Sequence, residues 1–140
     1  MSERTLILVK PDGVERGLVG DVLARIERKG YVLEQLQLLH PTQQQLAAHY
    51  EEHQGKPFYQ PLVDFMMSGP VVALVASGDD VIRGFRVMAG VSDPTEAAPG
   101  TIRGDLSRDW GAGVQKNIVH GSDSVESAER DIAIWFPAGA

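Results

Sequence analysis

Cysteine is absent from the chain, which removes disulfide frameworks, thiolate metal sites and cysteine nucleophiles, and fits a reducing compartment. Long apolar runs are missing too. The stretch Leu6 to Val9 is too short for the hydrophobic region of a signal peptide, and no segment could span a membrane, so a cytoplasmic protein is expected. An excess of positive charge is also lacking: 13 Lys and Arg stand against 19 Asp and Glu, a net charge of −6. That balance argues against a general nucleic-acid binder, whose affinity comes from clustered cations, but leaves room for a small anionic ligand held by a few focused ones. No G-x-x-x-x-G-K-[ST] segment occurs, and Gly111-Ala112-Gly113 does not complete G-x-G-x-x-G. Any phosphate must then be bound by side chains.

What is present reads as one domain, residues 1–140, of ordinary globular composition, with 43% hydrophobic and 23% charged residues. Thr5 to Val9 has the character of a buried strand, closed by the turn residues Lys10-Pro11-Asp12-Gly13. Leu18, Val19, Val22, Leu23 and Ile26 recur at helical spacing up to Gly30, and Tyr31 to Leu39 reads as a second strand. Thr42 and Gln45 have the spacing of a capping box, opening a helix with Leu46, Ala47 and Tyr50 on its apolar side. Phe58 to Met67 reads as a further short helix. Val71 to Ser77 is a buried strand, and Val81, Ile82, Phe85, Met88 and Ala89 form a helix ending near Gly90. Val91 to Gly104 reads as a long ordered loop, and Gly111-Ala112-Gly113 as a turn. Asn117 to His120 suits a short strand, and Asp123 with Glu126 offers a second capping-box spacing before a last helix. This order fits an α+β fold, a ferredoxin-like β-α-β-β-α-β sandwich with a helical insertion between the second and third strands.

His120 follows two β-branched residues and precedes a glycine where a helix is about to start, a place that would hold its ring rigidly. A neutral imidazole there can attack an electrophile or act as a general base; on residue pattern alone a histidine simply satisfied at a strand end is the favoured reading.

Four motifs sharpen this choice: Val9-Lys10-Pro11-Asp12-Gly13, Ser68-Gly69-Pro70, Pro99 to Asp105, and Asn117 to Ser124. In this order, over nearly the whole chain, they resemble the nucleoside diphosphate kinases. The resemblance implies that His120 takes the terminal phosphoryl group of a nucleoside triphosphate and passes it to a diphosphate, in a ping-pong reaction through phosphohistidine. It also implies that Lys10, Arg86 and Arg103 bind phosphate, with Ser92 where the family usually has threonine. Tyr50 would hydrogen-bond near the histidine, Phe58 would stack on the base beside Leu62, and Asn117 would meet the sugar hydroxyls. Stacking discriminates weakly among bases, so broad nucleotide acceptance is expected.

Ser122 matches the serine that arranges carboxylate and histidine, although a helix-capping hydroxyl would look the same. Asp131 stands where the family usually has a glutamate orienting the histidine, one methylene shorter; spacing alone does not separate it from Glu129, whereas the family pattern favours Asp131. Mg²⁺ is expected to arrive with the nucleotide, without a protein cage. His49 and His53 have the spacing of two ligands on one helical face, but no third ligand suggests itself, and they are expected to be exposed. His40 carries no signal. A few extra residues lie around Arg108 to Gly113, and a homo-oligomer is expected. An RNA-binding module on the same fold is disfavoured by the acidic chain and by strands without stacking aromatics, and a hydrolase using His120 as a base leaves the cations unexplained.

Overall fold

In the computed structural model, residues 2–111 and 116–137 are described. Strand β1 (Ser2–Val9) pairs antiparallel with β3 (Val71–Asp79) along its whole length. Both are buried on two faces, and both read as near-continuous apolar runs for that reason. The outer strands are β2 (Val32–Leu39), against β3, and the three-residue β4 (Val119–Gly121), against β1, giving the order β2-β3-β1-β4 with every neighbour antiparallel.

Side-chain alternation divides the core into two layers. Ile7, Val9, Leu74 and Ala76 pack on one face with Val22 and Ile26 of α2 (Val19–Arg28) and Phe85 of α5 (Val81–Ala89). Leu6, Leu8, Ala73 and Val75 pack on the other, against Leu46 of α3 (Gln43–His49), Val63 of α4 (Tyr59–Met66) and Trp135 of α7 (Val125–Trp135). The helices inserted between β2 and β3 are α3 and α4, joined through a 3-10 turn at Glu51–His53. The sandwich expected from the sequence is the one formed.

Four local expectations change. Pro11–Glu15 is a short helix, α1, where a turn was expected: Pro11 occupies the first position, where its missing N–H is no loss. Strand β3 runs on to Asp79, and Asp80 makes the bend into α5 with φ 57°. The long loop contains a helix, α6 (Ile102–Leu106), started by Thr101, whose hydroxyl accepts the Gly104 N–H. The last helix is capped by Ser124 with Ser127, not by Asp123 with Glu126. The capping box at Thr42 and Gln45 forms as expected, with both bonds made. Of the extra segment, Arg108 to Gly111 is described: Trp110 lies beneath the guanidinium groups of Arg108 and Arg16, at 4.1 and 5.2 Å. Ala112 and Gly113, and with them the turn expected there, lie outside the described residues.

Candidate active site

A cavity of about 1000 Å³ opens between α3, α5, α6 and the start of α7, and β4 supplies its floor. Its geometry depends on a tight turn just before that strand. Ile118 has φ +72°, and the Val119 N–H bonds back to the Asn117 carbonyl at 2.7 Å, the pattern of a γ-turn. A β-branched residue in this region costs about 1–3 kcal/mol. Both peptide groups of Ile118 are tied to the other end of the chain: its N–H donates to Asp12 Oδ2 at 3.1 Å, and its carbonyl accepts from the Lys10 N–H at 2.7 Å. Gly13 makes the approach possible, since a Cβ there would lie 2.8 Å from Val9 Cγ1 and 3.0 Å from Ile118 Cγ2.

The turn delivers His120 to β4, opposite Leu8. The next residue, Gly121, abuts Phe85, where a Cβ would come within 2.6 Å of the ring, so β4 sits hard against α5. The half-buried His120 ring directs Nε2 toward Asp131 Oδ2 at 3.6 Å, and that nitrogen is sealed from solvent with no hydrogen bond among the described residues. Burial lowers the His120 pKa and the Asp131 charge opposes that shift. Asp131 is 4% exposed and accepts the Ser122 hydroxyl at 2.9 Å through the same oxygen. Burial works to raise its pKa, but the adjoining His120, His49 and Ser122 outweigh it and hold the carboxyl below its ordinary range. Glu129, the alternative carboxylate, is exposed and pairs with Arg4 at 2.8 Å. Asp131 is therefore the acid behind the ring, and Ser122 bonds to it instead of capping α7.

His49 departs from the expectation of an exposed histidine. It is buried, its ring centroid 4.5 Å from that of His120 and nearly perpendicular to it, while Trp135 Nε1 donates to His49 Nδ1 at 3.1 Å. Burial and the neighbouring His120 push its pKa down to about 3, so it is neutral. The signal was available: Leu46, His49, Tyr50 and His53 lie at i, i+3, i+4 and i+7, one helical stripe. Tyr50 meets the His49 ring edge at 4.6 Å, and burial, with the Asp131 charge, raises its phenol pKa. His53 is half-buried and stacks on Tyr50 at 6.1 Å, whereas His40 is exposed.

His49, His120 and Asp131 bring three ligand-type atoms within 4.8 Å of one another. Because the His49 Nδ1 lone pair already receives the Trp135 N–H, and Asp131 the Ser122 hydroxyl, the trio reads as a packed polar cluster against the imidazole, held by donors from outside it.

Five cations line the same cavity: Lys10, Arg86 and Arg103, which the family resemblance marks for phosphate, and the exposed Arg83 and Arg130. Lys10 donates to Asn117 Oδ1 at 2.9 Å, and burial, reinforced by Arg103, lowers its pKa to about 8. Arg103 is 9% exposed and binds the carbonyls of Asn117, Gly90 and Val119 at 3.1, 2.7 and 2.6 Å, so it clamps α6 to the γ-turn as well as facing the cavity. Burial, with Arg86 nearby, lowers its pKa to about 10. Arg86 is exposed, with one N–H on the Gly121 carbonyl at 3.3 Å. Ser92 lines the cavity, and its carbonyl accepts the Asn117 side-chain N–H at 2.9 Å. Phe58 and Leu62 stand outside the walls; Phe58 is exposed and touches the rim through His53, at 5.0 Å between ring centroids. Asp12 is the other residue the sequence did not mark, since its partner lies 106 positions away. The arrangement thus sets an oriented imidazole, whose pKa burial lowers, in a cavity that Lys10, Arg86 and Arg103 also line.

The comparisons agree with that chemistry. The family model described as nucleoside diphosphate kinase matches residues 3–140. Nucleoside diphosphate kinases of Saccharopolyspora erythraea and Mycobacterium avium are 60% and 57% identical over 138 residues, covering 98% of this chain and 98% of each relative. A halophilic nucleoside diphosphate kinase from Halobacterium salinarum, solved in complex with CDP, is 44% identical, with a TM-score of 0.91 over 98% of this chain and 89% of that one. A nucleoside diphosphate kinase family protein from Babesia bovis is 47% identical with a TM-score of 0.88 over 96% of this chain and 88% of that one. This chain belongs to the nucleoside diphosphate kinase family, phosphotransferases that move a phosphoryl group between nucleotides.

Proposed function

We propose that the transfer runs through His120 in two half-reactions at one site. The observation that carries this reading is the orientation of the ring. Nε2 is sealed against Asp131, so the proton belongs there and Nδ1, on the other edge, carries the lone pair that attacks. In the first half-reaction an Nδ1–P bond forms to the γ-phosphorus while the bond from phosphorus to the β–γ bridging oxygen breaks, and the nucleoside diphosphate departs with that electron pair. The ring becomes positively charged as it attacks, and Asp131, steadied by Ser122, compensates that charge across Nε2. An incoming diphosphate then attacks the same phosphorus and restores the neutral imidazole.

Lys10, Arg86 and Arg103 neutralise the phosphates, with the Ser92 hydroxyl and the Tyr50 phenol as further donors, so positioning and charge supply most of the catalysis. Mg²⁺ enters as part of the nucleotide substrate, held by phosphate oxygens, since Lys10, Arg86 and Arg103 offer it no ligand. Asn117, fixed by Lys10 and Ser92, is placed to meet the sugar. Phe58 at the rim supplies a stacking face for the base. The CDP bound by the halobacterial relative supports a diphosphate in this cavity. The experiment is incubation with γ-labelled ATP and Mg²⁺: acid-labile label on His120, discharged by added nucleoside diphosphate, is expected, and folded protein that takes no label refutes the mechanism.

We further infer that residues 1–140 act as one catalytic unit, since both core layers share a single sheet, and that the unit self-associates. Strand β2 is an edge whose Val32, Leu36 and Leu38 are 59, 52 and 65% exposed, an apolar edge of the kind that pairs with another chain. Light scattering of Leu38→Glu should report a smaller particle than the unaltered protein; equal masses would reject the interface. No helix among the described residues is long and apolar enough to cross a membrane. A cytoplasmic setting, where triphosphates are abundant, is the expected one, tested by fractionation.

A further inference from the structure

Asp12 is a buried carboxylate that the reading above leaves without a task. It is 6% exposed, in the first turn of α1. Its Oδ2 takes the Ile118 N–H, and its Oδ1 is sealed from solvent with no hydrogen bond among the described residues. Carboxylates are seldom kept in such surroundings without a function to perform.

Two features of its position do point to one. The N–H it accepts belongs to the residue at φ +72°, whose turn places Asn117 on one side and leads into His120 on the other. Asp12, Lys10 and Arg103 also meet on that same turn: Asp12 takes the Ile118 N–H, the Lys10 N–H gives to the Ile118 carbonyl, and Arg103 binds the carbonyls of Asn117 and Val119. From there the carboxylate charge opposes the lowering that burial imposes on the Lys10 and Arg103 pKa. We propose that Asp12 is a positioning residue with two separable contributions: Oδ2 pins the strained turn that presents Asn117 and His120, and the negative charge backs Lys10 and Arg103 from inside the protein. The inference rests on the phosphohistidine reading.

Asparagine separates the two contributions, because its amide oxygen can still accept the Ile118 N–H while the charge is gone; alanine removes both. Lys10 is faced by Asp12 from α1, Arg103 from α6, His120 from β4 and His49 from α3, with Asn117 hydrogen-bonded to it. Of the two charges that shift its titration most after burial, Arg103 lowers it and Asp12 raises it, so losing Asp12 moves the Lys10 titration from about 8 to lower pH.

The test is single-turnover phosphorylation of His120 by Mg-ATP as a function of pH, with hydrogen exchange at the Ile118 amide. Asp12→Asn should keep its rate within about threefold near pH 6.5 and its slow exchange, while its alkaline limb falls roughly half a unit earlier. Asp12→Ala should show the same displacement and, at every pH, lose about tenfold or more in rate with faster Ile118 exchange. An Asp12→Asn profile superimposed on the unaltered one overturns the charge contribution. Wild-type rate and exchange in Asp12→Ala overturn the turn contribution, and if that variant does not fold, the asparagine profile decides alone. Absence of label on unaltered His120 would instead defeat the phosphohistidine reading itself.

Discussion

Replacing Asp131 probes the support of the nucleophile directly, and the structure sets the scale. The carboxylate oxygen lies 3.6 Å from His120 Nε2. At an effective dielectric constant of about 20, a unit charge there interacts with a fully charged ring by about 4.6 kcal/mol. Measured losses are smaller, because burying the carboxylate already costs desolvation, and hydrogen bonds to charged groups contribute about 1.5–3 kcal/mol net. Asp131→Ala should therefore slow the first half-reaction by about 2 kcal/mol, or roughly 30-fold. Asp131→Glu acts in the opposite direction if the extra methylene closes the gap to a charge-assisted bond of about 2.8 Å. The same Coulomb arithmetic gives a gain of about 1.3 kcal/mol, so the ceiling is roughly tenfold. Its packing cost beside Ser122 and His49 brings the expected result to between unchanged and tenfold faster. Rapid-quench phosphorylation with labelled ATP separates this step from product release. A folded Asp131→Ala protein phosphorylated at the unaltered rate would refute the role given to the carboxylate.

Other consequences follow from the same cluster. Lys10 loses its charge as pH rises through about 8, so kcat/KM for the nucleotide should fall above that value; bound phosphate favours the ammonium, so the limb in kcat should lie at higher pH, and coincident limbs would contradict the assignment. His49 titrates at about 3 in the fold against an ordinary 6.5. The unfolded chain therefore binds the extra proton between those values, and stability should decline on acidification below 6.5 by at most about 1.4 kcal/mol per pH unit for this group. Urea titrations of His49→Gln should show a shallower acid slope, and an unchanged slope would mean that His49 is not the buried neutral group. Trp135→Phe strips His49 Nδ1 of its donor and should cost about 1–3 kcal/mol in urea denaturation while the sheet remains intact.

Those groups are unequally visible in the sequence. Strands β1 and β3 are legible because both faces are buried, and the shortness of each apolar run, its β-branched residues and its flanking turn residues decide for strand over buried helix. Helix α3 is legible from its capping box, which is a local device. Helices α1 and α6 are not: at five residues each they are too short for a periodic stripe, and tertiary contacts hold them in place. Asp131 is reached only through the family pattern, since its partners His120, Ser122 and His49 lie on two other elements and a neighbouring loop. His49 lies on a readable stripe, but its spacing from His53 imitates a ligand pair, although its apolar companions Leu46 and Tyr50 already place it inside.

Arg103 shows why a residue's type can be read while its task is read only halfway. The family pattern groups it with Lys10 and Arg86 as an expected phosphate-binding cation. The structure adds that three of its five N–H donors are already committed to backbone carbonyls, two of them on either side of the γ-turn at Asn117 and Val119 and the third at Gly90. Substituting lysine would keep the charge but not the planar fork, so Arg103→Lys is expected to lose more than phosphate affinity. The carbonyls of Asn117 and Val119 would give up their shared donor, and the turn that presents His120 would loosen. The rate of His120 phosphorylation at saturating nucleotide should then fall along with affinity. A variant that raises KM alone, with that rate unaltered, would show that the clamp on the turn contributes nothing to the reaction.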